Sequence, residues 1–231
     1  MLLLLVIAGK EDNQVIQSKE LSLVSEYMPQ EKIPSSYAFD WKVTYEVEAN
    51  DNKIDFHYRV KPKANYYGVV MVVSKKDLTK NSITIMDFGR NKRITLLNRK
   101  NDKYLRVKDM PVLKDSVINS ITVERTDTKD ILGYTCQGYN IKINEGTSTL
   151  YITQDAGFAF NKDLGQYSKN SLDGKGIDAS ILNELENGLM MEMSYSGNEN
   201  NASATASKMK IKEITKVSFS VDLRDHKTIE K

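Results

Sequence analysis

From Tyr37 onward, apolar and polar residues alternate with a period of two. Phe39, Trp41, Val43, Tyr45 and Val47 fall on one side of the repeat, and Asp40, Lys42, Thr44, Glu46 and Glu48 on the other. That alternation predicts an antiparallel strand with one wetted face. Asn50, Asp51 and Asn52 supply a turn. Ile54, Phe56, Tyr58 and Val60 then repeat the pattern against Asp55, His57, Arg59 and Lys61, which puts His57 on a solvated polar face. Pro62 ends the run, and Tyr66, Tyr67 and Gly68 lead into the unbroken apolar stretch 69–73, which fits a strand covered on both sides. Short strands over 83–87, 93–98 and 104–107, joined by turn-forming residues, complete a meander.

The second half opens with a helical turn expected over 112–119 and a strand over 121–125. The clearest signal in the chain follows, over 131–160. Ile141 and Ile143 alternate with Asn140 and Lys142, Asn144, Glu145 and Gly146 make a turn, and Leu150 and Ile152 alternate with Tyr151 and Thr153. Two alternating runs around a short glycine-containing turn predict a hairpin. Ile181, Leu182 and Leu185 recur at helical spacing, with Asp178 as N-cap and Gly188 as the stop, so one short helix is expected there. Leu189, Met191, Met193 and Tyr195 begin another strand. Met209 and Ile211 sit opposite Lys208, Lys210 and Lys212, a lysine row that reads as a solvated or edge-protecting face. The fold class expected is mainly β: a single curved antiparallel sheet of about ten strands, a half-barrel with one or two short helices.

The start of the chain has another character. Residues 1–9 resemble the apolar core and small-residue exit of a secretory signal but carry no basic n-region, and are read as either a signal-peptide remnant or a first strand. Residues 10–36 are polar, interrupted by Pro29 and Pro34, with Leu21, Val24 and Met28 at the spacing of a short helix; they read as an N-terminal arm or linker. Residues 37–231 form the single β domain.

Composition narrows the chemistry more than it suggests any. The 33 basic and 31 acidic side chains nearly cancel, with no concentrated basic block, so no nucleic-acid partner is expected. No apolar run approaches the roughly 20 residues of a membrane-spanning helix. Cys136, the single cysteine, reads as a small buried apolar residue, and two distant histidines offer no metal-ligand spacing. Asp173 and Asp178 flank two glycines without the alternating ligands of a calcium loop. Neither a phosphate-binding loop nor a nucleophile elbow occurs. No catalytic residue, metal or cofactor is nominated, and the domain is expected to be non-enzymatic.

What remains is shape. One short helix cannot cover a whole face of so large a sheet, so the sheet either folds over itself or leaves a concave apolar face partly open. The adaptable side chains available for such a face are Tyr66, Tyr67, Met71, Met86, Phe158, Leu189, Met191 and Met193, with Met190 beside them. They either fill a closed core or form the wall of a ligand site.

The order of segments resembles an uncharacterised domain-of-unknown-function family of secreted bacterial proteins. The likeness rests on an opening Tyr-x-Phe-x-Trp strand (Tyr37, Phe39, Trp41) and on Tyr66, Tyr67 and Gly68 before a middle strand. A meander from Asp87 to Leu96 and a run carrying Lys129, Ile131, Gly133, Tyr134, Cys136 and Tyr139 follow. Thr153 and Asp155 then close a strand, and the apolar strand 189–193 comes later. That family is similar to the outer-membrane lipoprotein-carrier fold. The resemblance implies a periplasmic or secreted protein of the Gram-negative envelope, with a lipid or lipoprotein as partner. The function expected is an apolar ligand (lipid, acyl chain or apolar peptide) held in the concavity of the sheet. The alternative is a structural or protein-interaction module of the envelope with no small-molecule ligand.

Overall fold

The computed structural model describes residues 32–49, 52–71, 82–99, 102–110, 121–143, 146–160, 176–196 and 207–229. Residues 1–9, read as a signal remnant, most of residues 10–36, read as an arm or linker, and the helical turn expected over 112–119 lie outside the described residues. Among the described residues twelve strands form one sheet: β1 (Ser36–Ala49), β2 (Asn52–Val60), β3 (Tyr66–Met71), β4 (Ser82–Asp87), β5 (Lys92–Arg99), β6 (Asp102–Asp109), β7 (Ile121–Ile131), β8 (Tyr134–Ile143), β9 (Gly146–Thr153), β10 (Leu189–Ser196), β11 (Ser207–Asp222) and β12 (Lys227–Thr228). Among the described residues one helix, α1 (Ala179–Asn187), accompanies it. The expected helix is therefore present, begun by Asp178, whose carboxylate accepts the Ser180 backbone N–H at 2.7 Å, and ended at Gly188.

The sheet order is β12-β6-β5-β4-β3-β2-β1-β11-β10-β9-β8-β7. Two meanders, β1–β6 and β7–β11, are joined through their longest strands, β1 and β11, which run antiparallel with Val43 opposite Ile214. Every pairing is antiparallel except the short contact of β12 with β6.

The curvature follows from chain length. In a flat sheet β11 and β12 would stand seven strand spacings apart, about 34 Å. Five residue steps carry the chain from Asp222 to Lys227, and they reach at most about 18 Å. The sheet is therefore rolled, bringing the end of β11 back to β6, while β12 and β7 remain as its two edges.

Rolling creates two cores on opposite faces. Neighbouring residues of one strand point to opposite sides, and Ile85 packs with Tyr37, Phe39, Ile94, Leu96, Leu105, Val221 and Leu223, whereas Met86 packs with Val43, Tyr45, Tyr58, Tyr67 and the β8–β11 residues. The alternation of β1 predicts one face for all of its apolar side chains, and here the structure differs. Tyr37 and Phe39 join one core, and Val43 and Tyr45, with the partly buried Trp41, the other. The change of face falls at an irregularity in the pairing with β11: Phe39 faces Phe219 while Trp41 faces Lys216, two steps on β1 against three on β11. Beneath the first stretch, Asp87 is buried and takes the Tyr37 hydroxyl at 2.6 Å, the Arg90 backbone N–H at 3.1 Å and the Arg90 guanidinium at 3.2 Å.

The lysine row proves to be part of a charge ladder in the middle of the sheet, not at its edge. Lys208 meets Glu192 at 3.2 Å, Lys210 meets Glu46 at 3.5 Å, and Lys212 meets Asp55 at 3.1 Å. His57, expected on a solvated face, is half-buried with Nδ1 3.0 Å from the Thr44 hydroxyl, and burial, reinforced by Lys42, holds its pKa below the usual histidine range. Cys136 is fully buried, its thiol donating to the Tyr134 carbonyl at 3.3 Å, and burial pushes its pKa up.

Candidate ligand-binding face

The larger core lies where the two meanders face each other. Strand β10 pairs with β11 only from Glu192 to Tyr195, so Leu189–Met191 parts from β11. The Tyr45 hydroxyl nevertheless donates to the Met190 carbonyl at 2.7 Å, a bond from β1 to β10 that passes over β11. A register shift between β10 and β9 at this point lets Met190, Met191 and Met193 all enter the same core.

Of the wall residues expected from sequence, Tyr67, Met86, Phe158, Leu189, Met191 and Met193 are brought together in this core, and all six are buried. Leu189 and Met191 have no exposed surface. Tyr66 is not among them. It packs with the opposite core and donates its hydroxyl to the Ala38 carbonyl at 3.0 Å, as period two requires of the residue next to Tyr67. Met71 occupies the last position of β3, opposite Phe56 and Ser82.

Register orders the face into rows running across the strands. Trp41, Val60, Tyr67 and Met86 are successive partners on β1, β2, β3 and β4. Val43, Tyr58 and Val69 form the next row. A strap after β9 lies over them. Phe158 stacks on Trp41 with ring centroids 4.9 Å apart, and Phe160 meets Tyr58 at 4.9 Å and Tyr67 at 5.1 Å. Phe160 also bridges to the backbone of Leu189. Trp41, Tyr58 and Phe160 were missing from the expected wall. The first two share the face-setting alternation already noted; Phe160 lies past the last regular strand residue, where periodicity carries no information.

Ile181 and Leu185 of α1 close another part of the core. The helix is fastened to β7–β9 by a polar cluster around a half-open groove of about 430 Å³, lined by Arg125, Gln137, Tyr139, Ile152, Gln154 and Glu184. Arg125 donates to both Glu184 oxygens, at 2.7 and 3.2 Å, and to the Ser180 hydroxyl at 3.0 Å. The Tyr139 hydroxyl donates to Glu184 as well, and Gln154 donates to the Glu184 carbonyl at 2.9 Å. The hydrogen bond from Tyr139, with Arg125 beside it, holds the Glu184 carboxyl below the ordinary glutamate value, while burial and this carboxylate push Tyr139 up to about 12. Glu184 and Tyr139 are hydrogen-bonded to each other, and with Arg125 they anchor the helix to β7–β9. Among the described residues no group of three or more His, Cys, Asp or Glu gathers as a metal would need, and no helix is long and apolar enough to cross a membrane.

Residues 39–223 match the model of a family described as a domain of unknown function (DUF4412), and the chain belongs to that family. No curated protein matches it. Solved structures similar to it include PNGF-II, at 14% identity and a TM-score of 0.42, with 84% of this chain and 31% of that one covered; the chain thus spans about a third of the PNGF-II chain. Another is an uncharacterised conserved protein from Thermus thermophilus, at 8% identity and a TM-score of 0.45, covering 84% and 91% of the two chains. A DUF1329 protein from Desulfovibrio piger is similar at 8% identity and a TM-score of 0.22, with coverages of 79% and 85%.

Proposed function

We propose that this domain is a non-enzymatic binding module of the Gram-negative envelope, periplasmic or secreted, that holds an apolar ligand (a lipid, an acyl chain or an apolar peptide) between its two meanders. The observation carrying this reading is the strap. Phe158 and Phe160 cover Trp41, Tyr58 and Tyr67 through ring contacts. Such contacts are worth about 0.5–1.5 kcal/mol each beyond the area they bury. A methylene chain offers the same aromatic faces equivalent dispersion contacts, so exchanging strap for ligand costs little. The methionines buried in this core are side chains that can repack around an occupant of irregular shape.

Trp41 is the single tryptophan of the chain and lies directly under Phe158, so its emission reports on this space. Titration with a long-chain fatty alcohol is expected to shift Trp41 emission to saturation, with a matching one-to-one adduct in native mass spectrometry. Absence of both, in the native chain and in Phe160→Ala, overturns the reading. The second reading, an interaction module with no small-molecule ligand, is favoured by the complete burial of Leu189 and Met191.

A further inference from the structure

The rows that cross the candidate face do not stop at its apolar part. The row Trp41, Val60, Tyr67, Met86 continues onto Arg93 of β5 and then Lys108 of β6. The adjacent row, Val43, Tyr58, Val69, continues through Thr84 and Thr95 to Arg106. Direct cross-strand partners share a face, so both rows change from apolar to cationic along the same direction. The second passes through two hydroxyls on the way, 3.4 Å apart. Six strands at about 4.8 Å spacing make each row about 24 Å long, ending on two cations in the first row and on one in the second.

Many lysines of the sheet are set against carboxylates: Lys42 with Glu213, Lys92 with Asp109, Lys227 with Asp102, and the ladder of Lys208, Lys210 and Lys212. Arg59, on the opposite face, has buried N–H groups without an acceptor but lies over the Phe219 ring. Arg93 and Lys108 instead stand directly opposite each other, a like-charge pair that destabilises a sheet. Among the described residues neither they nor Arg106 has a carboxylate partner, and the Arg106 Nε–H is shut off from solvent with no acceptor. A bound anion relieves both costs at once: it separates the repelling charges and accepts from the orphaned N–H.

The geometry points to an anionic amphiphile as the ligand, its carboxylate or phosphate head seated on Arg93, Arg106 and Lys108 and its chain lying along Met86, Tyr67, Val60 and Trp41. This rests on the binding reading above and adds the chemical class of the ligand. The head group sits at the open end of the row, where Lys108 is exposed, and the strap residues Phe158 and Phe160 cover the other end.

The test uses the full chain and three probes: a long-chain fatty acid, the fatty alcohol of equal length, and inorganic phosphate, followed by Trp41 emission and calorimetry. The acid is expected to bind at least about tenfold more tightly than the alcohol at low salt, as charge-assisted hydrogen bonds imply, with the gap narrowing as salt is added. Replacing the cations together (Arg93→Gln, Arg106→Gln, Lys108→Gln) is expected to bring the acid down to the level of the alcohol and leave the alcohol unchanged. Equal affinity for acid and alcohol in the native chain overturns the head-group assignment and leaves the apolar site standing. Failure of both amphiphiles to bind overturns the two together. Phosphate binding that depends on the three cations, without binding of either amphiphile, identifies a free-anion site and overturns the amphiphile.

Discussion

At the scale of single residues, the buried carboxylate of Asp87 is the most exacting demand in the fold. It is satisfied by Tyr37 and Arg90, and Tyr37, held by burial and by this carboxylate, keeps its proton well beyond the ordinary tyrosine range. Tyr37→Phe removes a donor from a carboxylate oxygen that cannot reach water, and is expected to cost about 1–3 kcal/mol in denaturant unfolding. Glu184 gives a pH signature. Its folded pKa lies below the ordinary value of 4.5, chiefly through Tyr139. The stability it contributes is therefore complete above about pH 4.5 and is lost as pH falls through the lower folded value. Thermal scans from pH 7 to 3 should show the native chain losing Tm more steeply below pH 4.5 than Glu184→Gln, which has no such group to protonate. None of this pairing is legible in sequence. Residues 50 positions apart meet at Asp87 and residues 45 apart at Glu184, through registers that periodicity cannot state.

Elements were more readable. The strands followed their alternation because a half-buried strand must show one face to water, and α1 followed its cap, its spacing and its glycine. What could not be read was where a strand changes face. The alternation of the β1 sequence runs on unbroken, and the irregular pairing at which Tyr37 and Phe39 part from the rest of the strand involves β11, far away in sequence. Conversely, Tyr66 and Tyr67 are adjacent, and period two alone forbids both from lining one wall. Strand β7 offers an element-scale prediction. It is an edge, 11 residues long, guarded by Glu124, Arg125, Asp127, Lys129 and Asp130 and by a bulge at Thr126 and Asp127 that folds over Gly138. A Cβ at position 138 would lie 2.3 Å from the Thr126 hydroxyl and 2.7 Å from the Asp127 carbonyl. Gly138→Ala should therefore force the bulge open, lowering stability by about 1–3 kcal/mol and raising amide exchange along β7 first, as hydrogen exchange would record.

For the whole molecule, the rolled sheet was foreseeable and its two cores were not. A single helix beside many strands requires the sheet to cover itself, but which face curls inward is decided by the β1–β11 register and by the return of the chain at β12. The candidate site was legible to the same degree. Methionine alternation set Met191 and Met193 on one side, and both are buried in the larger core, whereas the rows leading from Trp41 to Lys108 exist only once six strands are in register. The far edge of the sheet can be tested directly. Residues 224–231 include β12, which caps β6, and Ile229, whose N–H donates to the Leu105 carbonyl at 2.8 Å. Deleting them bares the hydrogen-bonding edge of β6, and size-exclusion chromatography is expected to reveal concentration-dependent self-association that the full chain lacks.

The pairing of β1 with β11 also sets how the sheet can close. Among the described strands β1 comes first in the sequence and β11 is the last long one, yet they lie side by side in the middle of the sheet with Val43 opposite Ile214. Each meander joins strands that are near one another in sequence, whereas the seam uniting the two is strongly non-local. Closing that seam is expected to be the slow step of refolding.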